Sequence, residues 1–343
     1  MRRKRIYVAP SANRKQGYSN RYFILLKKEL AEYFDVLESD NRRRFSQGYA
    51  LLVNSFKADC FLLSFVETIA FHKLPFLQYL LAMAAMWVMK LRGKEIVFIF
   101  HNPVPHKGEN WMSESLTNRQ IKLSKAIVAH SGQAATLARE LVSAQGGDPS
   151  IVRYVCHPVL VPEGGVPSAK EKNNEVLIWG NILPYKGILE FVSCPAVRDA
   201  GLNVRIVGKC SDPDLSSRIM AAVSSPTATS FCFENRSAGF DELSFLIARS
   251  RSVVFPYLPG SVSSSGVLID TVAMGGDPIG PALGAFLDLE KEGVCSVYHS
   301  EDEMLSLLKS PPRIEDEQRN RFVESNSWSA FAKLISDLFQ DLK

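Results

Sequence analysis

Short apolar runs alternate with longer segments of helical period along most of this chain of 343 residues. Arg5-Ile-Tyr-Val-Ala9 reads as a strand, followed by a polar loop from Pro10 to Ser19 and a helix from about Asn20 to Tyr33. Cys60-Phe-Leu-Leu-Ser-Phe65 is a second strand, and Glu95-Ile-Val-Phe-Ile-Phe100 is a continuous apolar run of the kind a parallel strand needs when both its faces are buried. Ala126–His130 and Val152–Cys156 complete this first series, with a helix capped by Ser131 between them. A second series follows: Val176–Trp179, Val204–Val207, Ser230–Phe233, Val253–Phe255 and a short strand near Pro278–Ile279. The last helix, from Ser327-Trp328 to Leu338, places Trp328, Phe331, Leu334 and Leu338 on one apolar stripe.

Alternation of strand and helix predicts an α/β fold of doubly wound parallel sheets. The stretch Pro162 to Asn174 carries Gly, Pro and charge with no apolar period, and reads as a linker. The expected organisation is a first domain over 1–165, a second over 166–325, and a final helix over 326–343 packing back on the first. No tandem repeat of 20–50 residues is present.

The longest apolar segment, Leu74 to Leu91, contains Pro75 and Gln78, and its uninterrupted part runs only from Tyr79 to Met89. A spanning helix needs about 20 apolar residues, so the segment reads as a buried helix or as a patch lying in a membrane surface. The basic start runs directly into the strand at Ile6, so no secretory leader is expected.

Charge divides the chain unevenly. Residues 1–165 carry +10 (23 basic against 13 acidic) and residues 166–343 carry −6 (17 against 23). Basic clusters stand at Arg2-Arg3-Lys4-Arg5, Arg42-Arg43-Arg44 and Lys90-Leu-Arg92-Gly-Lys94. A basic half suits anionic lipid or phosphorylated substrates. Nucleic acid is not expected as a partner, because the clusters lack interleaved aromatics and a reader motif. The six cysteines, Cys60, Cys156, Cys194, Cys210, Cys232 and Cys295, are scattered without Cys-x-x-Cys spacing, which fits a reducing cytosol rather than a disulfide framework or a zinc site.

Three stretches carry chemistry. In Val176-Leu-Ile-Trp-Gly180-Asn-Ile-Leu-Pro-Tyr-Lys186-Gly187, a strand is broken by Gly180 and a helix starts near Lys186, aiming an ammonium and backbone N–H groups at the carboxyl edge of a sheet. It is not a Walker A loop, and the alternative is a solvated lysine beside a turn. Phe100-His101-Asn102-Pro-Val-Pro-His106 places His101 where a buried strand ends; it can serve as acid, base or hydrogen-bond partner, or simply as a structural histidine. Pro256-Tyr-Leu-Pro-Gly260-Ser-Val-Ser263-Ser264-Ser265-Gly266-Val267-Leu-Ile-Asp270-Thr271 is a strand end leading into a Ser/Gly loop and an apolar helix, whose free N–H groups form an anion seat or a plain N-cap.

In order and spacing these stretches resemble the GT-B glycosyltransferases, in particular the family 4-like enzymes of bacterial polysaccharide and lipopolysaccharide assembly, over nearly the whole chain. Gly180-Asn181 to Lys186-Gly187 is similar to the Gly-Arg-Leu-x-x-x-Lys-Gly donor-phosphate motif, His101-Asn102 to His106 to the His-Asn-x-x-Pro-His loop of one branch, and Ser265-Gly266-Val267 to Gly276-Asp-Pro278 to the nucleotide-sugar helix. The resemblance implies two domains facing across a cleft, and transfer of a sugar from a UDP- or GDP-linked donor to a glycan or lipid-linked acceptor, with retention. It makes Gly180, Asn181, Lys186, Gly187, Ser263, Ser264, Ser265, Gly266, Val267, Asp270 and Thr271 the donor-binding set, and His101 and Lys186 the catalytic pair. Ser11, Asn13, Ser19, Asn20, Asn102 and His106 fall on the acceptor side. No cofactor or metal is expected, and the protein is expected in the cytoplasm, on the inner face of the membrane. Two departures stand out. Asn181 replaces the usual arginine, and the two family glutamates fall on Ser263 and Thr271, so Asp270 reaches the ribose only in a shifted register. The alternative is a non-catalytic GT-B subunit that binds or stabilises an active partner.

Overall fold

The computed structural model describes residues 2–10, 21–38, 47–101, 110–161, 165, 172–259 and 266–340. Two compact units divide it: residues 1–156 with 328–343, and 157–327. The first unit gives way at Cys156/His157, earlier than residue 165, because its last strand ends at Tyr154.

In chain order the first unit contains β1 (Arg5–Val8), α1 (Arg21–Leu30), β2 (Asp35–Val36), α2 (Gln47–Lys57), β3 (Cys60–Ser64), α3 (Pro75–Leu91), β4 (Glu95–Phe100), α4 (Trp111–Leu123), β5 (Ala126–Ala129), α5 (Gly132–Ala144) and β6 (Val152–Tyr154). Its six strands are parallel in the order β2-β1-β3-β4-β5-β6. The pleat sends successive residues to opposite faces, so the apolar runs feed two cores. Tyr7, Phe61, Leu63, Ile96 and Phe98 meet buried residues of α2 to α5 on one side, including Leu51, Met86, Leu116 and Ala138. On the other side Ile6, Val8, Leu62, Val97 and Ile99 meet Leu26 and Leu30 of α1 together with Phe331, Ile335 and Phe339 from the end of the chain. The Ser131 hydroxyl accepts from the Ala134 N–H at 3.1 Å and caps α5, as the sequence pattern expects.

The second unit contains β7 (Glu175–Trp179), α6 (Ile188–Ser193), α7 (Pro195–Asp199), β8 (Asn203–Val207), α8 (Pro213–Ser224), β9 (Ser230–Glu234), α9 (Phe240–Arg249), β10 (Ser252–Val254), α10 (Gly266–Ala273), β11 (Pro278–Pro281), α11 (Gly284–Lys291), β12 (Ser296–Tyr298), α12 (Glu301–Lys309) and α13 (Asp316–Ser325). Its strands are also parallel, ordered β12-β11-β10-β7-β8-β9. The final helix, α14 (Trp328–Gln340), returns to the first unit, where it packs on α1 and β4. Its apolar stripe accounts for this: Trp328, Phe331, Ile335, Leu338 and Phe339 are all buried.

The long apolar helix α3 departs from a simple buried reading. It buries Gln78, Ala82, Ala85, Met86 and Met89, yet Phe76, Leu77, Leu80, Trp87 and Leu91 are each about half or more exposed. Among the described residues no helix is long and apolar enough to cross a membrane.

Candidate functional site

In the second unit β7 lies between β10 and β8, so the order of strands reverses at the β7–β10 boundary. At such a boundary the loops leaving the carboxyl ends of neighbouring strands diverge, which is where open α/β sheets hold ligands. Two of the sequence stretches meet at this point. Gly180 follows β7 at φ +96, a left-handed conformation that suits glycine, and a Cβ built on it would stand 3.2 Å from Lys186 Nζ and 3.3 Å from Val267 Cγ1 at the start of α10. A short 3₁₀ turn over Pro184–Lys186 ends at Gly187, φ +64, and only then does α6 begin. A side chain at Gly187 would drive its Cβ to 2.0 Å from the Pro256 carbonyl oxygen. The Leu258 N–H donates to the Tyr185 carbonyl at 3.0 Å, so the loop after β10 is fastened to the turn that carries the lysine.

Lys186 is only 4% exposed. Its Nζ sits 5.7 Å from the centroid of the Tyr257 ring. Burial pulls its pKa down from 10.5 to about 8, with no carboxylate opposing the shift. The enclosed lysines elsewhere are different: Lys27 has Glu38 at 3.8 Å and Lys172 has Asp277 at 3.4 Å. Lys186 has no carboxylate within ion-pair distance among the described residues. A buried ammonium without a carboxylate partner, beside the first turn of an eight-residue helix, has the charge and the neighbouring N–H groups to pair with an anion.

The other residues that the resemblance assigns to the donor are disposed as follows. Gly266 and Val267 open α10, while Ser263, Ser264 and Ser265 lie outside the described residues. Asn181 stands next to Gly180 and is exposed. Thr271 is fully buried: its hydroxyl accepts from Trp179 Nε1 at 2.8 Å and donates to the Val267 carbonyl at 2.9 Å. Asp270 Oδ1 accepts from the Leu160 N–H at 3.2 Å. The carboxylate therefore faces the connecting segment, and the threonine is engaged inside the unit. Two side chains that the sequence reading does not single out complete the neighbourhood. His157 places its ring 3.5 Å from a Cβ built on Gly266, and burial lowers its pKa to about 4, so it is neutral. Tyr257 supplies the aromatic face below the ammonium. Tyr257 lies in the stretch that leads into the Ser/Gly loop, but nothing local shows that its ring meets Lys186, and no sequence motif marks His157.

Among the described residues no three His, Cys, Asp or Glu side chains gather as a metal site. Asp212-Pro213-Asp214 has Asp-x-Asp spacing, but Asp212 caps α8, accepting from the N–H groups of Asp214 and Leu215 at 3.0 and 3.2 Å.

In the first unit His101 follows β4 and stacks on Phe65 at 4.1 Å with 9° between the rings. Phe65 itself follows β3 at φ 54, a conformation that costs a non-glycine residue about 1 kcal/mol or more. Tyr22 stands edge-on to His101 at 5.3 Å and His130 is tilted against it at 5.4 Å. His130 Nδ1 lies 3.0 Å from the Val155 carbonyl, which can only accept. Nδ1 therefore carries the proton, and in the neutral ring Nε2 accepts from the Tyr22 hydroxyl at 2.8 Å. Burial holds the Tyr22 phenol well above its ordinary pKa. Ser11, Asn13, Ser19, Asn20, Asn102 and His106 lie outside the described residues.

No family model and no curated sequence matches the chain. Solved structures do. A sucrose-phosphate synthase from Thermosynechococcus elongatus superposes with a TM-score of 0.66 at 13% identity, covering 99% of both chains. HepE of Anabaena, solved in complex with UDP-glucose, gives 0.61 at 11% identity over 98% of this chain and 96% of its own. The lipopolysaccharide outer core galactosyltransferase WaaB gives 0.61 at 12% identity over 98% and 100%. The chain has the two-sheet α/β fold of these GT-B structures along nearly its whole length.

Proposed function

We propose that the chain is a glycosyltransferase that moves a sugar from a UDP- or GDP-linked donor to a lipid-linked glycan acceptor, with retention of configuration, on the inner face of a cytoplasmic membrane. One observation carries the donor half of this reading: Lys186, buried and without a carboxylate, beside Gly180 and the first turn of α10. In the reaction the bond between the anomeric carbon and the diphosphate oxygen breaks, and the nucleoside diphosphate leaves with the electron pair. The acceptor oxygen bonds to the anomeric carbon and passes its proton to the departing diphosphate oxygen. Negative charge therefore grows on the leaving group. Groups already aimed at that position stabilise the transition state more than the ground state. Lys186 and the α10 N–H groups are proposed for this role without a metal. His101 is proposed as a hydrogen-bond partner of the transferred sugar. HepE, which shares the fold, was solved with UDP-glucose, and that supports a nucleotide-sugar donor.

Calorimetric titration with a panel of UDP- and GDP-sugars tests the reading. Lys186→Ala is expected to cut turnover about a hundredfold, the scale seen when one stabilising donor is removed. His101→Ala is expected to lower turnover while leaving nucleotide affinity unchanged. A variant at Lys186 that turns over like the wild type would remove the residue from its central position.

A second reading, a non-catalytic GT-B subunit that stabilises an active partner, is favoured by Thr271. It stands where the family has a glutamate, and its hydroxyl is already bonded on both sides. Failure of every nucleotide sugar to bind would select this reading.

A further inference from the structure

On α3, the exposed residues Leu77, Leu80, Ala84, Trp87 and Leu91 follow one another at spacings of three and four, forming a single stripe opposite the buried one. Tyr49 and Phe56, seven residues apart on α2, and Trp111 at the start of α4 are exposed as well. Leu74, just before α3, is held at φ 52 with more than half its surface exposed, so a strained backbone displays an apolar side chain to solvent. This face is rigid. A Cβ on Gly48 of α2 would stand 2.5 Å from the Gln78 carbonyl oxygen, so α2 and α3 cross backbone to backbone, and Gln78 Nε2 donates to the Lys73 carbonyl at 2.7 Å. The stripe therefore cannot fold inward.

The charges that α2 and α3 themselves carry have one sign. Neither α2 nor α3 contains Asp or Glu, while Lys57, Lys73, Lys90 and Arg92 flank them. Beside the stripe, α3, α4 and the end of α5 border an open surface pocket of about 400 Å³ lined by Met83, Trp111, Arg119 and Lys122, with Glu114 its one carboxylate. The Arg119 guanidinium lies 4.3 Å from the Trp87 ring centroid, and its buried Nε and Nη2 make no hydrogen bond among the described residues. Arg119 and Lys122 are the two cations of the pocket's lining, and cations at such a place suit a phosphate. An apolar stripe edged by Trp, Tyr, Lys and Arg, on helices that contain no acidic residue, is the pattern of a helix lying in a lipid interface rather than of a protein partner surface.

We infer that the α2–α3–α4 face rests on an anionic phospholipid bilayer, its apolar stripe entering the acyl boundary and the pocket taking a headgroup phosphate at Arg119 and Lys122. This rests on the membrane part of the proposed function and is independent of sugar transfer.

Flotation of the full chain with phosphatidylcholine vesicles, with and without phosphatidylglycerol, tests it. Strong binding is expected only with phosphatidylglycerol. Leu77→Glu/Leu80→Glu is expected to abolish binding to both, and Arg119→Gln/Lys122→Gln to weaken phosphatidylglycerol binding tenfold or more, on the scale of neutralising two interfacial cations. All four positions are at or near the surface, and unchanged thermal melting confirms the fold. Absence of flotation, or equal binding to both vesicles, overturns the inference; an unaffected Arg119/Lys122 variant overturns the pocket. A shift in tryptophan fluorescence with inorganic phosphate when vesicles do not bind makes free phosphate the ligand and overturns the lipid headgroup. A dimer in lipid-free buffer that Leu77→Glu/Leu80→Glu dissociates, without flotation, makes a second copy the occupant and overturns the lipid. UDP titration of the Leu77→Glu/Leu80→Glu variant is expected to match the wild type. Failure of the wild type to bind any of the UDP- and GDP-sugars, with flotation intact, would refute sugar transfer and leave this face standing.

Discussion

Lys186 sits where its charge is disfavoured, since burial brings its pKa down to about 8. The unfolded chain keeps the ordinary value, so between about pH 8 and 10.5 the unfolded state binds more protons. This residue's contribution to stability therefore rises with pH across that window. Anion binding has the opposite sign, because only the protonated amine attracts a diphosphate. Nucleotide affinity is expected to stay level below about pH 8 and to fall above it, by up to about tenfold per pH unit. Lys186→Met should bind weakly and show no such slope. Titration calorimetry across pH decides it: a wild-type slope that survives in Lys186→Met would place the titrating group elsewhere. The neighbouring glycine is as constrained. Gly187→Ala meets both a left-handed backbone and the Pro256 carbonyl, and is expected to cost at least about 2 kcal/mol in denaturant unfolding. The lysine–glycine pair is legible in the sequence because turn chemistry is local. Tyr257 and His157 are not, because their approach depends on strand order.

At the scale of elements, apolar runs reveal strands buried on both faces, and the strands that the sequence reading expects all form in the sheets. The two it passes over, β2 and β12, are sheet edges, short and only partly buried, so they carry no apolar run. The helix α3 shows the opposite difficulty. Apolar on nearly every side, it gives no periodicity to separate an inward face from an outward one. Asp277 shows a third. In the sequence it belongs to a glycine turn, but in the fold it is buried, accepts from Arg319 Nη2 of α13 at 2.8 Å, and lies 3.4 Å from Lys172. Arg319 also donates to the carbonyls of Val272 and Gly276, tying α13 to the end of α10. Asp277→Ala would strand two enclosed cations. The expected loss is about 3–5 kcal/mol, read by denaturant unfolding. A loss under about 1 kcal/mol would show that water or a moved side chain compensates.

For the whole molecule, the return of α14 to the first unit means that the chain's last residues stabilise a sheet built from its first ones, while the proposed donor groups all belong to the second unit. Each unit also has buried clusters of its own, so perturbations of the two can be read separately. Trp328 lies against Tyr22 at 5.1 Å and Phe331 at 6.4 Å, and Tyr22 in turn holds His130. Trp328→Ala is expected to cost about 3–5 kcal/mol, as large aromatic truncations do, and to speed amide exchange in α1 and β4. UDP should instead slow exchange over Gly180–Gly187 and the first turn of α10, and should do so equally in Trp328→Ala, because mass action stabilises the segment that holds the ligand. Protection by UDP confined to peptides of the first unit would move the donor away from Lys186. Protection of the second unit that disappears in Trp328→Ala would mean that the donor site depends on the first unit's integrity, and that His101 and Lys186 cannot be perturbed independently.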